Sequence, residues 1–140
     1  MNVAQELTSL LGADRVDTSA AVLAQHSHGE SYAKGVMPAA VAYPQSTAEV
    51  AALLRFASRE GVPVTPVGAN SSLEGHTVPA AGGISLDMAR MNLILEAHPE
   101  DLLAVVQPAV TYPRLNDHVR RHGLFFPIDP GAHASLGGMV

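Results

Sequence analysis

The spacing of apolar residues predicts two short helices before residue 27. A helix over residues 3–12 has an inner face formed by Val3, Leu7, Leu10 and Leu11. Gly12 follows this face and is expected to end the helix. A second helix is predicted over residues 18–26, with Thr18 or Ser19 as its cap. The stretch from His26 to Met37 is polar and without period, which predicts a loop across the surface.

A strand–helix–strand unit is predicted next. The apolar run from Ala39 to Tyr43 is typical of a buried strand. Ser46 and Glu49 fit a capping box, in which each side chain would accept from the other residue's amide. The helix that follows has an inner face of Val50, Leu53, Leu54 and Ala57 and is expected to end at Gly61. The next strand is predicted over Val62 to Pro66, and its prolines indicate either a sheet edge or an early end.

A second unit of the same kind is predicted near the end of the chain. It comprises a strand over 102–107, a helix capped by Thr111 that runs to Gly123, and a strand over 124–126. Short strands are expected between the units, over 84–87 and 93–96. Because strand–helix–strand units pair their strands in parallel, we expect an α+β (mixed α/β) fold with helices packed on a small mixed sheet. Residues 1–37 would form an N-terminal helical and loop segment, and residues 38–140 the main domain.

Composition narrows the function classes. The chain has 140 residues, 47% of them apolar, which suffices for one domain with a core. Its net charge is -5 and its eight basic residues are scattered, which argues against a nucleic-acid partner. It has no cysteine, so disulfides and thiolate metal sites are excluded. No signal peptide or membrane-length apolar run is visible, which favours the cytoplasm.

Two loops carry the candidate chemistry. The first, Val67 to His76, is rich in glycine, asparagine and serine, and its successive amides can form a concave nest for an anion such as pyrophosphate. The alternative is a plain surface turn, which uses the same residue types. The second runs from Pro127 to Val140 and again allows close backbone approach at Gly137 and Gly138. It can equally be a connection to another element.

The histidines are predicted to be structural, and no metal site is expected. His118 and His122 lie one helical turn apart, but Val119, Arg120 and Arg121 lie between them, so a solvated helix face is favoured over zinc binding. His26 and His28 lack an evident third ligand. A metal-binding protein is therefore the least favoured of the functions considered.

In combination, several short motifs resemble a known family. They are Tyr43-Pro44 with the helix start at 46–50, the loop from Pro66 to Gly75, Ile84-Ser85-Leu86-Asp87, Arg90-Met91-Asn92, Val106-Gln107-Pro108, and the run from Phe125 to Gly138. In this order they resemble the vanillyl-alcohol-oxidase-type (PCMH-type) FAD-binding family. The segment Ser71 to His76 is most similar to the cytochrome-type D-lactate dehydrogenase and glycolate oxidase branches.

The resemblance implies FAD as the cofactor. Its binding residues would be Val67, Gly68, Ala69, Asn70, Ser71 and Ser72 around the pyrophosphate, and Pro108, Pro130, Gly131, Ser135, Leu136, Gly137 and Gly138 along the flavin and diphosphate. Some branches of the family attach FAD to a histidine in the first loop. Because Ser71 matches that position here, we expect non-covalent FAD. The family's substrate-binding and catalytic residues would follow Val140, so no catalytic residue is predicted within the chain.

The intact enzyme would oxidise a D-2-hydroxyacid, D-lactate or glycolate, and pass electrons to a cytochrome or quinone rather than to NAD. The 140 residues alone would be inactive and hold FAD weakly or not at all. The alternative is a stand-alone FAD- or nucleotide-binding module without catalysis. The expected location is the cytoplasm, with attachment at the inner face of the membrane as a variant. Uncovered apolar surface would also favour a homo-oligomer.

Overall fold

A computed structural model describes residues 2–140, and the fold is an α+β architecture. The helices are α1 (Val3–Leu11), α2 (Ala20–Gln25), α3 (Thr47–Glu60), α4 (Tyr112–Val119) and α5 (Leu136–Met139). The strands are β1 (Val16–Asp17), β2 (Ala40–Ala42), β3 (Val64–Val67), β4 (Ile84–Asp87), β5 (Ile94–His98) and β6 (Leu103–Val106). The strands form two small sheets, so the predicted fold class is confirmed.

The first sheet has four strands in the order β1-β2-β4-β3. Strands β2 and β3 both run parallel to β4, which lies between them, and β1 is antiparallel to β2. Strand β3 is at the edge, where the proline at position 66 requires no ladder partner for its nitrogen. The last pair in the β3–β4 register joins Val67 to Asp87, so the loop after β3 leaves the sheet beside the end of β4.

Helix α3 begins and ends at the positions that the sequence predicts, although its N-terminal cap differs in one bond. The Ser46 hydroxyl accepts from the Glu49 amide at 3.2 Å, as a capping box requires. The Glu49 carboxylate, however, accepts from the amide of Gln45 at 2.7 Å rather than from Ser46. That bond, aided by the guanidinium of Arg15, lowers the pKa of Glu49. Gly61 ends the helix with a φ of 65°.

The main core lies between the first sheet and the helices α1 and α3. Its buried members are Leu7, Leu11, Ala40, Ala42, Leu53, Phe56, Ala57, Ile84 and Leu86. Leu7, Leu53 and Ile84 have no exposed surface at all. Residues before position 38 therefore share this core with the rest of the chain, through α1 and through the pairing of β1 with β2. We call this part of the molecule the sheet region.

The second half of the chain forms what we call the hairpin region. Strands β5 and β6 pair in antiparallel fashion around a turn at Pro99–Asp101, with Leu102 in the left-handed conformation at a φ of 54°. Helices α4 and α5 pack beside the hairpin around Val110, Leu115, Val119 and Leu136.

The predicted strand over 124–126 is wrong, and so is the second parallel unit. Phe126 donates its amide to the side chain of Asn116 at 2.6 Å, a bond that α4 supplies in place of a strand partner. Leu124 and Phe126 then pack on the cluster around α4. Because β6 pairs with its neighbour in sequence, the hairpin needs no crossover helix. The caps predicted for α2 and α4 are at the right positions, but neither Ser19 nor Thr111 caps with its side chain.

No helix among residues 2–140 is long and apolar enough to cross a membrane.

Candidate functional site

A groove of about 920 Å³ lies where the sheet region meets the hairpin region. One wall is the loop that follows β3, together with side chains of α3 and β4. The opposite wall comes from Pro108 and from the segment between Pro130 and Val140. Segments distant in the sequence thus face each other across one concave surface, which is the usual form of a small-molecule site.

The first loop presents free amides to this groove. Among residues 2–140, no hydrogen bond engages the backbone N–H groups of Ala69, Asn70, Ser71 or Ser72. Asn70 has a φ of 52°, a left-handed conformation that is uncommon for a residue other than glycine. Free amides in succession around a left-handed residue are the elements of an anion nest. The loop therefore has the donors that a phosphate group requires.

The Asn70 side chain ties the first loop to a distant segment of the chain. Its Nδ2 donates to the carbonyl of His28 at 3.0 Å, which ties the loop to the segment after α2. Its Oδ1 is buried and has no hydrogen-bond partner in the described chain. Asn70 thus braces the loop from behind, and its backbone rather than its amide group is free for a ligand.

Two glycines of the groove lie at points of close contact. Within the second wall, a Cβ at Gly137 would lie 2.5 Å from Cβ and 2.9 Å from Cα of Pro108, a separation that real Cβ atoms do not reach. The Gly137 amide donates to the Pro108 carbonyl at 2.8 Å. Between the two walls, a Cβ at Gly68 would collide with the hydroxyl of Ser135. Glycine at position 137 therefore lets α5 pack on Pro108, and glycine at position 68 lets the first wall approach the second.

The amides of helix α5 are all used within the fold. Those of Leu136 and Gly137 donate to Val110 and Pro108, and those of Gly138 and Met139 donate to the carbonyl of Ser135. Most residues that line the second wall are glycine, alanine, serine or proline, which leave room for a flat or bulky ligand group. The four consecutive free amides lie on the first loop.

The structure brings together eleven of the thirteen predicted cofactor-binding residues in this groove. They are Val67, Gly68, Ala69, Asn70, Ser71, Ser72, Pro108, Pro130, Ser135, Gly137 and Gly138. Leu136 does not line it, because its side chain is 9% exposed and packs in the apolar cluster of the hairpin region. Gly131 does not line it either, and its amide donates to the carboxylate of Asp129 at 3.0 Å. Their roles, like those of the other eleven, stay predictions.

Asp129 anchors the loop that carries Pro130. Besides the Gly131 amide, its carboxylate accepts from the hydroxyl of Tyr112 at 2.8 Å. The Gly131 bond and then the Tyr112 bond lower the pKa of Asp129, and the same contact raises the pKa of the Tyr112 hydroxyl. Asp129 is therefore a turn residue held by α4.

The predicted cofactor-binding set leaves out several residues that line the groove, among them Thr77, His76 and Met88. Thr77 is 7% exposed, and its hydroxyl is buried with no partner among the described residues. His76 is exposed, and its Nδ1 lies 3.4 Å from the Ser72 hydroxyl. Met88 follows β4 and contributes apolar surface. His76 ends the first loop and Thr77 follows it, but only the fold shows that the chain lines the groove there.

The histidines form no metal site. No cluster of three or more potential ligands occurs among residues 2–140. His118 and His122 are on the outside of α4 and of the turn that follows it. His26 instead contacts the carboxylate of Asp87 at 3.0 Å, a pair that joins residues 61 positions apart.

Comparison with known proteins identifies the class to which this architecture belongs. A family model described as "FAD binding domain" matches residues 38–140. The chain belongs to this FAD-binding domain family, and FAD is the family's cofactor.

Curated relatives are flavin-linked oxidoreductases. The mitochondrial D-lactate dehydrogenase [cytochrome] of Arabidopsis thaliana is 39% identical over 119 residues, which cover 82% of this chain and 21% of that protein. The glycolate oxidase subunit GlcD of Bacillus subtilis is 34% identical over 141 residues, which cover 99% of this chain and 30% of that protein. The chain thus spans less than a third of either relative.

Solved structures share the fold. An alkyldihydroxyacetonephosphate synthase aligns over 97% of this chain and 30% of its own, with a TM-score of 0.86 and 25% identity. The 4-ethylphenol oxidase of Gulosibacter chungangensis aligns over 87% of this chain and 24% of its own, with a TM-score of 0.74 and 28% identity. The predicted resemblance to PCMH-type FAD-binding domains is confirmed.

The residues present fit a dinucleotide. The four free amides of the first loop suit a diphosphate, and the groove has the volume of a site for a large organic ligand. The glycines at 68 and 137 allow the close packing against Ser135 and Pro108 that shapes the groove. The buried hydroxyl of Thr77 offers one further polar group on the same surface.

Proposed function

We propose that this chain holds the diphosphate of FAD on the Ala69–Ser72 amides, as part of an enzyme that oxidises a D-2-hydroxyacid to the 2-oxoacid. The single observation that carries the proposal is the set of free amides in a groove whose opposite wall is made of small residues. The similarity to a D-lactate dehydrogenase and a glycolate oxidase subunit supports the substrate class. D-Lactate and glycolate are the proposed substrates, and a cytochrome or quinone is the proposed electron acceptor.

The residues of this chain bind and orient the cofactor. Bound FAD supplies the two-electron acceptor for oxidation of the hydroxyl-bearing carbon. The first loop would stabilise the diphosphate with neutral donors, which suits a chain with a net charge of -5 and few cations. Ser71 stands where some branches of the family carry the histidine that attaches the flavin, so we propose non-covalent binding. The catalytic base and the substrate pocket belong to the whole protein.

Titration of the purified chain with FAD tests the cofactor assignment. Flavin fluorescence and calorimetry should show saturable binding with one site per chain. Ser71→Leu would place a branched side chain in the groove beside the free amides, and we expect it to weaken binding at least tenfold, or about 1.4 kcal/mol. Ser58→Leu is the matched control, because Ser58 is exposed on α3 and does not line the groove.

The outcomes separate loop binding from adventitious binding. Equal affinity in the two serine variants would show that FAD binds elsewhere and would overturn the loop assignment. If the chain binds no FAD, the same titration on a chain that includes the remaining sequence of a full-length relative's FAD domain decides the proposal. Failure of that longer protein to bind would contradict it.

A further inference from the structure

The pair formed by His26 and Asp87 joins α2 to the end of β4. The imidazole Nε2 lies 3.0 Å from Asp87 Oδ2, and the imidazole Nδ1 lies 2.9 Å from the carbonyl oxygen of Val22. The two side chains are 12% and 14% exposed. A nearly buried contact of this kind excludes most of the water that would screen an exposed pair.

The geometry favours the doubly protonated imidazole. A carbonyl oxygen and a carboxylate are both acceptors, so each ring nitrogen needs a hydrogen to make a favourable contact. A neutral imidazole has one N–H and can satisfy one of them. The imidazolium satisfies both, and it also places a positive charge against the Asp87 carboxylate. Protonation of His26 is therefore coupled to the attachment of α2 to β4.

The charged and titratable groups around His26 agree with this assignment. Asp87 faces it from the end of β4 and Asp17 from β1, while the ring of Tyr43 meets it edge-on at 6.3 Å between centroids. Beyond Tyr43 lies a cation, the guanidinium of Arg90, at 5.3 Å from the Tyr43 ring centroid. The hydrogen bond to Asp87 is the main cause of a raised pKa for His26, and burial opposes it.

The segment that follows α2 also supports the first loop. Two residues after His26, the carbonyl of His28 accepts the bond from Asn70 that braces the left-handed turn. At Gly29 an added Cβ would lie 2.8 Å from Asn70 Oδ1 and 3.3 Å from Thr77 Oγ1, so the backbone passes close to Asn70 within the loop and to Thr77 just after it. Asp87 is the register partner of Val67, the first residue of the loop.

We infer that His26 and Asp87 are a positioning pair for the first loop, so that the chain binds FAD more tightly when His26 carries its second proton. The inference rests on the proposed function. The raised pKa of His26 indicates the direction of this pH dependence of FAD affinity. Affinity is highest below that pKa, where the pair is charged, and falls as the pH rises through it. A coupling of about fivefold is expected for two contacts between the sites.

The test measures the dissociation constant of FAD between about pH 5 and about pH 9, the range in which histidine titrates. In the unaltered chain it should rise about fivefold with pH. His26→Gln should abolish the dependence. Asp87→Asn should move its midpoint to lower pH, because the variant loses the carboxylate that holds the proton. His98→Gln is the matched control, since His98 contacts Glu96 at 2.8 Å in an exposed pair on the hairpin.

Nuclear magnetic resonance without FAD separates this inference from the proposed function. The Asn70 side-chain amide should shift with the same midpoint as the His26 ring, and Asp87→Asn should move both midpoints together. If this coupling is seen but FAD binds neither this chain nor the longer protein, the positioning pair stands and the cofactor assignment fails. If His26→Gln keeps the pH profile of the unaltered chain, or Asn70 does not respond to His26, the inference is overturned. Should His26→Gln fail to fold, Asp87→Asn gives the same decision.

Discussion

The two regions of the molecule contain similar apolar residues but bury them to different extents. In the sheet region Leu7, Leu53 and Ile84 are fully buried between two helices and four strands. In the hairpin region no member of the cluster except Val110 reaches that level, and Leu115, Val119 and Leu136 keep 7 to 9% exposure. The difference follows from layers, since a two-stranded hairpin cannot cover a core by itself.

The exposed side of the hairpin region is an apolar cleft of about 830 Å³. Leu102 at 78% exposure and Phe125 at 73% line it, next to Leu103 and Ile128 at 54% each. The groove for the cofactor thus has one wall on a closed core and the other on an open one. The first loop therefore starts from a closed core, whereas the second wall rests on an open one and is held by the contact between Pro108 and Gly137.

Core substitutions should produce the largest contrast between the regions. Leu53→Ala leaves a cavity in a closed core and should lower the free energy of unfolding by about 3 kcal/mol. Leu115→Ala removes the same atoms beside an open cleft, where neighbouring side chains can relax, and should cost about 2 kcal/mol at most. Urea unfolding followed by circular dichroism measures both. Equal losses would show that the hairpin region is as tightly packed as the sheet region.

A close contact within the second wall should give the next largest effect. Gly137→Ala forces a Cβ against Pro108 and should push α5 away from it, at a cost of about 1–3 kcal/mol in stability and at least a tenfold loss of FAD affinity. Gly138→Ala is the control for stability alone, because its Cβ would meet the rotatable hydroxyl of Ser135 at 3.1 Å. Thermal unfolding measures both variants, and FAD titration measures Gly137→Ala. If Gly137→Ala bound FAD normally, the position of α5 in the second wall would not matter for binding.

The sequence predicts the sheet region better than the hairpin region, for a physical reason. Helix α3 has its own start and stop signals at Ser46 and Gly61, and they act locally. The apolar run at 124–126 looks like a strand, but whether it forms one depends on a partner that local sequence does not contain. Asn116 takes the Phe126 amide instead, ten residues away.

The candidate site shows the same division. The residue types of the first loop and the family resemblance predict most of the residues that line the groove, because the small residues are visible in the local sequence. The burial of Thr77 and the pairing of His26 with Asp87 are tertiary facts. In the sequence, His26 is one of two histidines with no evident partner, since nothing near it in the chain indicates a carboxylate 61 residues away.

The smallest expected effect on stability comes from the open cleft of the hairpin region, where the change is seen in the mass of the protein in solution. Exposed apolar clusters of this kind promote association, so we expect the chain to self-associate at high concentration. Replacing both Phe125 and Ile128 by serine should return the mass to the 14.6 kDa of one chain. Sedimentation equilibrium measures this, with Leu10→Ser as control, because Leu10 is 42% exposed on α1 of the sheet region.

Both serine substitutions lie on exposed side chains, so the free energy of unfolding should change by no more than about 0.5 kcal/mol. A single-chain mass for the unaltered protein at high concentration would contradict the expectation, and loss of association in the Leu10 variant would move the contact to the sheet region.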